Sequence, residues 1–394
     1  MPVQPSPQPT PSVVVSQYRA KALTQKIVEG QGGTILNMQL IPTGETTVLG
    51  TVYSKDGKIR LHLSYLDETN QGSSDYAIED TDADTLEHTD GVAAIVKVSK
   101  DGGKLVPVVA YNYENLVSGN FQVKIRDLQS KTVNTIPGVK CDDNAVITVS
   151  QDGSTLLVSD NRESMWIYRI NKTTGLHDRV TVAKAGEKII RYSTLNNSSC
   201  TLVGIAGEKN LLIYALKSNG WPSPCRQDST VPLSTQSANR YIQFLENGSS
   251  VLVVSTTGNN AILAQLIDIN PQTGKTQADR QPLETTASIS QESTPSKWGS
   301  STVCIFPVSA QPPSTVIAIV CIKGDSATEY FDLHKDQSSG KISLSNSGET
   351  QSIQSIKLDR FVWGQKSLDS STTVPSVLLG VVSNNIVCRV DCPI

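Results

Sequence analysis

The chain has 394 residues, of which 38% are hydrophobic and 18% charged, and its formal net charge is −3 at pH 7. Nucleic acids and anionic membranes attract proteins with a strong basic excess, so this balance disfavours both as partners. No apolar run approaches the length that crosses a bilayer, and we expect no membrane span.

The first twelve residues, MPVQPSPQPTPS, are rich in proline and contain no apolar core of the kind found in signal peptides. We interpret residues 1–12 as a flexible leader and residues 13–394 as one domain. Glycosylation sequons begin at Asn171, Asn196, Asn197 and Asn247. They are compatible with export, and the composition is equally compatible with a cytoplasmic location.

Seven units follow one another along the chain, each opening with a short strand. They begin near residues 35 (ILNMQLI), 92 (VAAIVKV), 145 (AVITVS), 188 (KIIRYST), 240 (RYIQFLE), 302 (TVCIFPV) and 358 (LDRFVWG). Each unit has about the length of a four-stranded propeller blade. The pattern predicts an all-β fold, a seven-bladed β-propeller of four-stranded antiparallel blades. Two packed β-sandwich domains are the alternative.

The segment 150–175, SQDGSTLLVSDNRESMWIYRINKTTG, illustrates the unit, with turn residues separating two runs rich in β-branched and aromatic side chains. Such a meander cannot bury both faces alone and therefore needs neighbours. We expect Asp152 and Gly153 to form a hairpin turn and Leu156 and Val158 to pack between blades. Trp166 and Tyr168 are expected to fill the neighbouring interface.

The last unit supplies three strands, DRFVWG, SVLLGVV and NIVCRVD. A strand from the first thirty residues, within SVVVSQY (12–18) or QKIVEG (25–30), is predicted to complete it near Val390 and close the ring. Pairing of the two ends would remove the free sheet edges of an open array.

Among the seven cysteines no C-x-x-C motif indicates a metal or redox site. Cys304 and Cys321 lie symmetrically about the turn QPPS, so a simple hairpin would set them opposite each other. They form either a disulfide or two buried thiols.

Motifs for metal, nucleotide or nucleophilic chemistry are missing from the sequence. The histidines, at positions 62, 88, 177 and 334, lie outside H-x-H and H-E-x-x-H contexts, and there is no G-x-S-x-G or phosphate-binding glycine motif. Asp80, Asp82 and Asp84 copy three ligand spacings of a calcium loop, but Thr85 and Gly91 occupy its glycine and glutamate positions. We therefore expect a solvated acidic loop, no metal and no cofactor.

Two segments, VYSKDGKIRLHLSYLDE (52–68) and GIAGEKNLLIYALKSNGWPS (204–223), resemble the repeat of fungal fucose-binding lectins. That resemblance implies a propeller whose sugar sites use Arg, Glu and an aromatic residue. Here Arg60 matches, Leu61 replaces the Glu, and in the second segment Trp221 is present while Leu212 and Ile213 replace the Arg and Glu. The segment 150–175 resembles lactonase-type propellers, which place charged residues on the central face.

The central channel of a propeller is bordered by the first strand of each blade, and its mouth commonly holds ligands. The predicted first strands carry many aromatic and hydrogen-bonding side chains. As catalytic candidates we take Arg191, Tyr192, Gln243 and Arg360. As substrate-binding candidates we take Asn37, Met38, Gln39, Tyr241, Phe244, Phe306, Phe361 and Trp363. The alternatives are that the aromatic residues form the core between blades and that the two arginines pair with acids.

A partly apolar pocket with a few hydrogen-bond donors suits a small organic molecule that carries a carbonyl. The sequence therefore favours an enzyme without metal or cofactor that promotes a cyclisation or a cycloaddition, such as a Diels–Alder-like step of natural-product biosynthesis. The alternative is a glycan-binding lectin-like protein or a propeller that binds another protein. The small ligand or glycan would be bound by a monomer or a weakly associating homodimer.

Overall fold

The computed structural model describes residues 19–22, 34–42, 47–55, 58–65, 73–77, 92–98, 105–115, 120–128, 130–136, 146–150, 154–160, 162–171, 177–197, 199–217, 227–234, 237, 239–245, 248–257, 260–276, 280–291, 294–298, 302–307, 315–324, 328–346, 358–364, 377–382 and 386–391. The regular elements among them are 28 β-strands. None of these residues belongs to a helix that is long and apolar enough to cross a membrane.

The strands assemble into four-stranded antiparallel sheets, seven of them in the described part of the chain, which we number I to VII. Sheet I contains β2 (Thr34–Pro42), β3 (Thr47–Lys55), β4 (Lys58–Tyr65) and β5 (Ser73–Ala77). Sheet II contains β6 (Val92–Val98), β7 (Leu105–Asn115), β8 (Asn120–Asp127) and β9 (Val133–Thr135). Sheet III contains β10 (Val146–Val149), β11 (Thr155–Ser159), β12 (Ser164–Ile170) and β13 (His177–Lys184).

The remaining sheets repeat this order. Sheet IV contains β14 (Ile189–Asn196), β15 (Cys200–Gly207), β16 (Asn210–Lys217) and β17 (Ser229–Pro232). Sheet V contains β18 (Arg240–Leu245), β19 (Ser250–Thr257), β20 (Ala261–Asp268) and β21 (Leu283–Ser288). Sheet VI contains β22 (Val303–Pro307), β23 (Val316–Lys323), β24 (Thr328–Lys335) and β25 (Ile342–Asn346). Sheet VII contains β26 (Leu358–Gly364), β27 (Val377–Val382), β28 (Ile386–Asp391) and β1 (Arg19–Ala22).

Sheet VII joins the two ends of the chain. Its order is β26-β27-β28-β1, and Ala20 of β1 lies opposite Val390 of β28. A strand from the first thirty residues therefore completes this sheet, as predicted. It is neither of the segments proposed from the sequence, since residues 12–18 and 25–30 lie outside the described residues.

Burial along the strands indicates that the sheets stack face to face. The second strands β11 and β23 are buried at nearly every position, whereas the outer strand β21 alternates between half-buried and exposed. A strand buried on both faces needs a neighbouring sheet on each side. In two β-sandwiches each sheet would keep one open face, so this burial favours a propeller-like arrangement over that alternative.

Apolar cores fill the spaces between successive sheets. One cluster joins Val108 of sheet II to Leu156 and Val158 of sheet III, both fully buried. Trp166 and Tyr168 belong to this same cluster and not to the neighbouring interface, so that expectation is wrong. They lie directly opposite Val158 and Leu156 in the β11–β12 ladder, and opposite residues of an antiparallel pair share one face.

Other parts of the segment 150–175 behave differently. Residues 151–153, with the predicted Asp-Gly turn, lie outside the described residues. The other face of sheet III carries Leu157 and Ile167, which pack with Val203 and Ile205 of sheet IV. The described part of the segment is therefore core on both faces.

The cysteine hairpin has the register that the sequence predicts. Cys304 of β22 is opposite Cys321 of β23, and both side chains are free thiols. Two residues further along, the Lys323 amide donates to the Thr302 carbonyl at 2.8 Å. Because antiparallel pairs alternate in type, the two cysteines form a hydrogen-bonded pair, with Cα atoms about 5.5 Å apart.

Candidate functional site

The first strands of neighbouring sheets lie next to one another, and contacts join β2 to β6, β6 to β10, β14 to β18, β18 to β22, β22 to β26 and β26 to β2. Between β10 and β14 the Tyr192 hydroxyl donates to the Val146 carbonyl at 3.4 Å. Arg191, near the start of β14, lies over the ring of Tyr241, near the start of β18. The starts of β10, β14 and β18 therefore lie side by side. We call this region the starting end of the sheets.

Arg191 is a half-buried cation near the start of β14. Its guanidinium carbon lies 5.7 Å from the centre of the Tyr241 ring, so the cation faces an aromatic ring across the gap between sheets IV and V. One of its nitrogens donates to the Ile190 carbonyl at 3.2 Å, and the residue is half-buried. Among the described residues no carboxylate lies within ion-pair distance of this guanidinium. The predicted alternative of an acid partner for Arg191 is not seen there.

Tyr241 forms the wall on which Arg191 lies. It is 5% exposed and packs in the core between sheets V and VI with Val303 and Ile305. Burial raises the pKa of its phenol to about 12, against the opposing effects of the Arg191 charge and a hydrogen bond with the Thr302 side chain. The phenol is therefore neutral at physiological pH and cannot serve as a base.

Backbone irregularities recur at the starting end of three sheets. The ladder registers of β2, β14 and β26 each shift by one residue, immediately before Asn37, Arg191 and Arg360. A bulge of this kind bends the strand and re-aims the next side chain, and bulges are common beside functional sites. Three of the predicted site residues therefore occupy one equivalent position in sheets I, IV and VII.

Three other predicted residues have well-defined side-chain environments. The Gln243 amide donates to the Phe244 carbonyl at 3.3 Å and is half-buried. Phe244 is 2% exposed and belongs to the core between sheets IV and V. Tyr192 packs against the core between sheets III and IV. Phe244 and Tyr192 thus contribute to the spaces between sheets, which is the alternative role that the sequence left open.

For the remaining predicted residues the structure gives the strand position. Met38 is opposite Thr51, Gln39 is opposite Gly50, Phe306 is opposite Ile319, Phe361 is opposite Gly380 and Trp363 is opposite Leu378. All five lie on first strands, as predicted. They follow the starting residues and so lie deeper along those strands.

Sequence reasoning missed one charged residue at this end. Arg240 is fully buried, and its guanidinium donates to the Ser255 hydroxyl and to the Glu208 carbonyl, each at 2.7 Å. Desolvation lowers its pKa, while the charge of Glu187 opposes that effect. Alternation along β18 places Arg240 on the same face as the buried Ile242. This spacing was the feature of the sequence from which the burial of Arg240 could have been predicted.

The positions that correspond to lectin sugar contacts are core residues. Leu61 and Ile213 are fully buried and Leu212 is 3% exposed, so none of them can meet a sugar in solvent. Arg60 lies opposite the buried Tyr53 in the β3–β4 ladder. Trp221 and the acidic loop 79–91 lie outside the described residues.

His334 is the histidine whose contacts are best defined, and those contacts do not form a catalytic triad of nucleophile, base and carboxylate. Both ring nitrogens of His334 lie 3.0 Å from hydroxyls, those of Thr315 and Ser345. Within the described ranges no three His, Cys, Asp or Glu side chains cluster in a way that could hold a metal ion. The starting end thus offers hydrogen-bond donors and an aromatic wall.

No protein-family model matches the sequence, and a search of curated proteins finds no significant match.

Proposed function

We propose that the seven sheets are the blades of a closed β-propeller with β1 as the outer strand of the seventh blade. Contacts between the first strands of successive sheets support this arrangement, including the contact of β26 with β2. The antiparallel pairing of β1 with β28 supports closure by the two ends of the chain. In such a ring the first strands border the axis, and their starting ends form its mouth.

We further propose that this mouth is the active site of an enzyme that binds a small, partly apolar organic substrate and promotes its cyclisation or cycloaddition without a cofactor. The observation that carries the proposal is the bulge shared by β2, β14 and β26, which precedes Asn37, Arg191 and Arg360. A bulge costs regular ladder hydrogen bonds and is common beside functional sites, so three bulges at one level of the fold support the proposal of a site there.

The starting residues also differ from sheet to sheet. β6 begins Val-Ala-Ala and β10 begins Val-Ile-Thr, with no charged group, whereas sheets IV, V and VII contribute arginines, of which Arg240 in sheet V is fully buried. A lectin with repeated sugar sites would carry similar polar groups on several blades. An uneven ring suits one ligand held in one orientation, which favours the enzyme over the glycan-binding alternative.

Arg191 supplies the chemistry that the proposed reaction needs. Its N–H groups can donate to a substrate carbonyl oxygen, and the resulting charge stabilisation grows as electron density moves onto that oxygen in the transition state. The neutral Tyr241 ring beneath it holds the guanidinium in place. Apolar walls would keep the reacting carbons close together, so the rate gain comes from positioning and polarisation.

The test compares Arg191→Gln with Arg280→Gln, which removes an exposed arginine bonded to Asp268 at the opposite end of sheet V. Both variants and the unaltered protein are incubated with a panel of dienyl and enone carbonyl compounds, and cyclised products are quantified by mass spectrometry. We expect turnover by the unaltered protein and by Arg280→Gln, and a loss of about 100-fold in Arg191→Gln, as for removal of one donor to a developing oxyanion.

Equal turnover by Arg191→Gln and the unaltered protein would refute the role of the starting end. Saturable binding on a glycan array with no turnover would support the lectin-like alternative.

A further inference from the structure

A recess lies away from the starting end, at the outer strands of sheets IV, V and VI. Its position follows from the registers, since Leu245 at the end of β18 is opposite Ser250, which is opposite Asp268 at the end of β20. The recess has a volume of about 600 Å³. It is lined by Thr230, Val231, Pro232, Leu266, Ile267, Asp268, Thr276, Arg280, Gln281, Pro282, Leu283, Lys335, Ser339 and Gly340. We call it the outer cleft.

Two cations converge on one carboxylate in the outer cleft. A guanidinium nitrogen of Arg280 lies 3.2 Å from one carboxylate oxygen of Asp268, and the Lys335 ammonium lies 3.3 Å from the other. The Asp268 side chain is 19% exposed, so both of its oxygens are engaged within a sheltered site. The three charged lining groups sum to +1, because two are cationic and one is anionic.

The two cationic side chains differ in their solvent exposure. The Lys335 side chain is 26% exposed and crosses from sheet VI to sheet V, so it also ties two sheets together. The Arg280 side chain is 66% exposed. Among the described residues, Asp268 accepts a hydrogen bond from one of the five N–H donors of this guanidinium. Arg280 can therefore accept a further anionic partner while it keeps its bond to Asp268.

The floor of the outer cleft is apolar. Val231, Leu266 and Ile267 are 7%, 1% and 4% exposed. Pro232 and Pro282 line the sides, and the polar groups of Thr276 and Ser339 lie among the remaining lining residues. A volume of about 600 Å³ falls within the range of small-molecule sites, and the lining combines an apolar floor with polar and charged side chains at its rim.

We propose that the outer cleft binds an organic anion with an apolar body, whose acidic group is held by Arg280 and Lys335. A cation would compete with both basic side chains for Asp268, whereas an anion gains charge-assisted hydrogen bonds from them. A neutral sugar would lack a stacking partner, because no aromatic side chain is among the lining residues. This site is separate from the starting end and does not depend on the function proposed for it.

The experiment is calorimetric titration with two probes of one shape, naphthalene-2-sulfonate and the neutral 2-naphthylmethanol. We expect saturable binding of the sulfonate and binding at least about tenfold weaker for the alcohol. Arg280→Gln should weaken sulfonate binding by about tenfold and leave the alcohol unchanged. The matched control is Lys341→Gln. It removes an exposed cation that comes after Ser339 and Gly340 in the connection between β24 and β25 but does not line the cleft. This change should alter the affinity for the sulfonate by less than about twofold.

A second variant, which blocks the cleft without removing a charge, keeps the test valid if Arg280→Gln fails to fold. Ser339 is exposed on the β24–β25 turn, so Ser339→Trp should fold normally and obstruct the cleft, abolishing sulfonate binding. The proposal is overturned by absence of saturable sulfonate binding, by equal affinity for the two probes, or by unchanged binding in Ser339→Trp. Equal losses in Arg280→Gln and Lys341→Gln would also overturn it, because they would indicate attraction to general surface charge.

Discussion

The change Val158→Ala tests the assignment of sheet III as scaffold. Val158 is fully buried between sheets II and III, where it packs in one cluster with Trp166. The substitution removes two carbons, worth about 1.6 kcal/mol of transfer free energy at about 0.8 kcal/mol each, and the cavity left behind adds to that loss. We expect the free energy of unfolding to fall by about 2–3 kcal/mol. Leu156→Ala, at an equally buried position, should cost about 2.5–5 kcal/mol.

The matched control is Val180→Ala, the same chemical change in the same sheet at a position that is 40% exposed. It should change the free energy of unfolding by less than about 0.5 kcal/mol. Urea unfolding, followed by tryptophan fluorescence and circular dichroism, gives the midpoint and slope for each variant. Similar effects of Val158→Ala and Val180→Ala would refute the burial argument. Loss of ligand turnover in Leu156→Ala at unchanged stability would make the segment the active site and not its support.

Three further outcomes follow from single sites. Replacing Arg240 by Met should lower the free energy of unfolding by about 1–3 kcal/mol in denaturant titrations, because the buried Ser255 hydroxyl loses its donor; no loss would mean that water reaches this site. Cys304 and Cys321 should both be alkylated in denaturant without reductant, since a hydrogen-bonded pair holds its Cβ atoms farther apart than the about 3.8 Å of a disulfide; a mass lower by two hydrogens would contradict this. The Ser338 hydroxyl and the Ser339 and Ser338 amides lower the pKa of Asp336 to about 2, so its contribution to stability is present above its ordinary value of 3.8 and is lost as the pH falls towards 2. Asp336→Ala should flatten the acid limb of stability over that range, and an unchanged limb would count against the hairpin contacts.

The order of the strands could be predicted from the sequence because local signals determine it. The first strands begin at residues 34, 92, 146, 189, 240, 303 and 358, each within one residue of the predicted position. Apolar runs and turn residues are close together in the chain, so they specify hairpins without help from distant segments. The register that sets Cys304 opposite Cys321 follows in the same way from a short symmetrical connection.

Contacts between sheets could not be predicted in the same way, because alternation identifies the two faces of a strand but not the neighbour that each face meets. Arg191 and Tyr241 lie on the first strands of different sheets, yet the guanidinium carbon of one is 5.7 Å from the ring centre of the other. The buried Arg240 and the bulge before Arg191 also depend on residues of other strands and sheets. The sequence by itself determined the strands and their hairpins, whose signals are local. The tertiary structure decided which polar side chains remain at the starting end, because burial depends on partners that are distant in the chain.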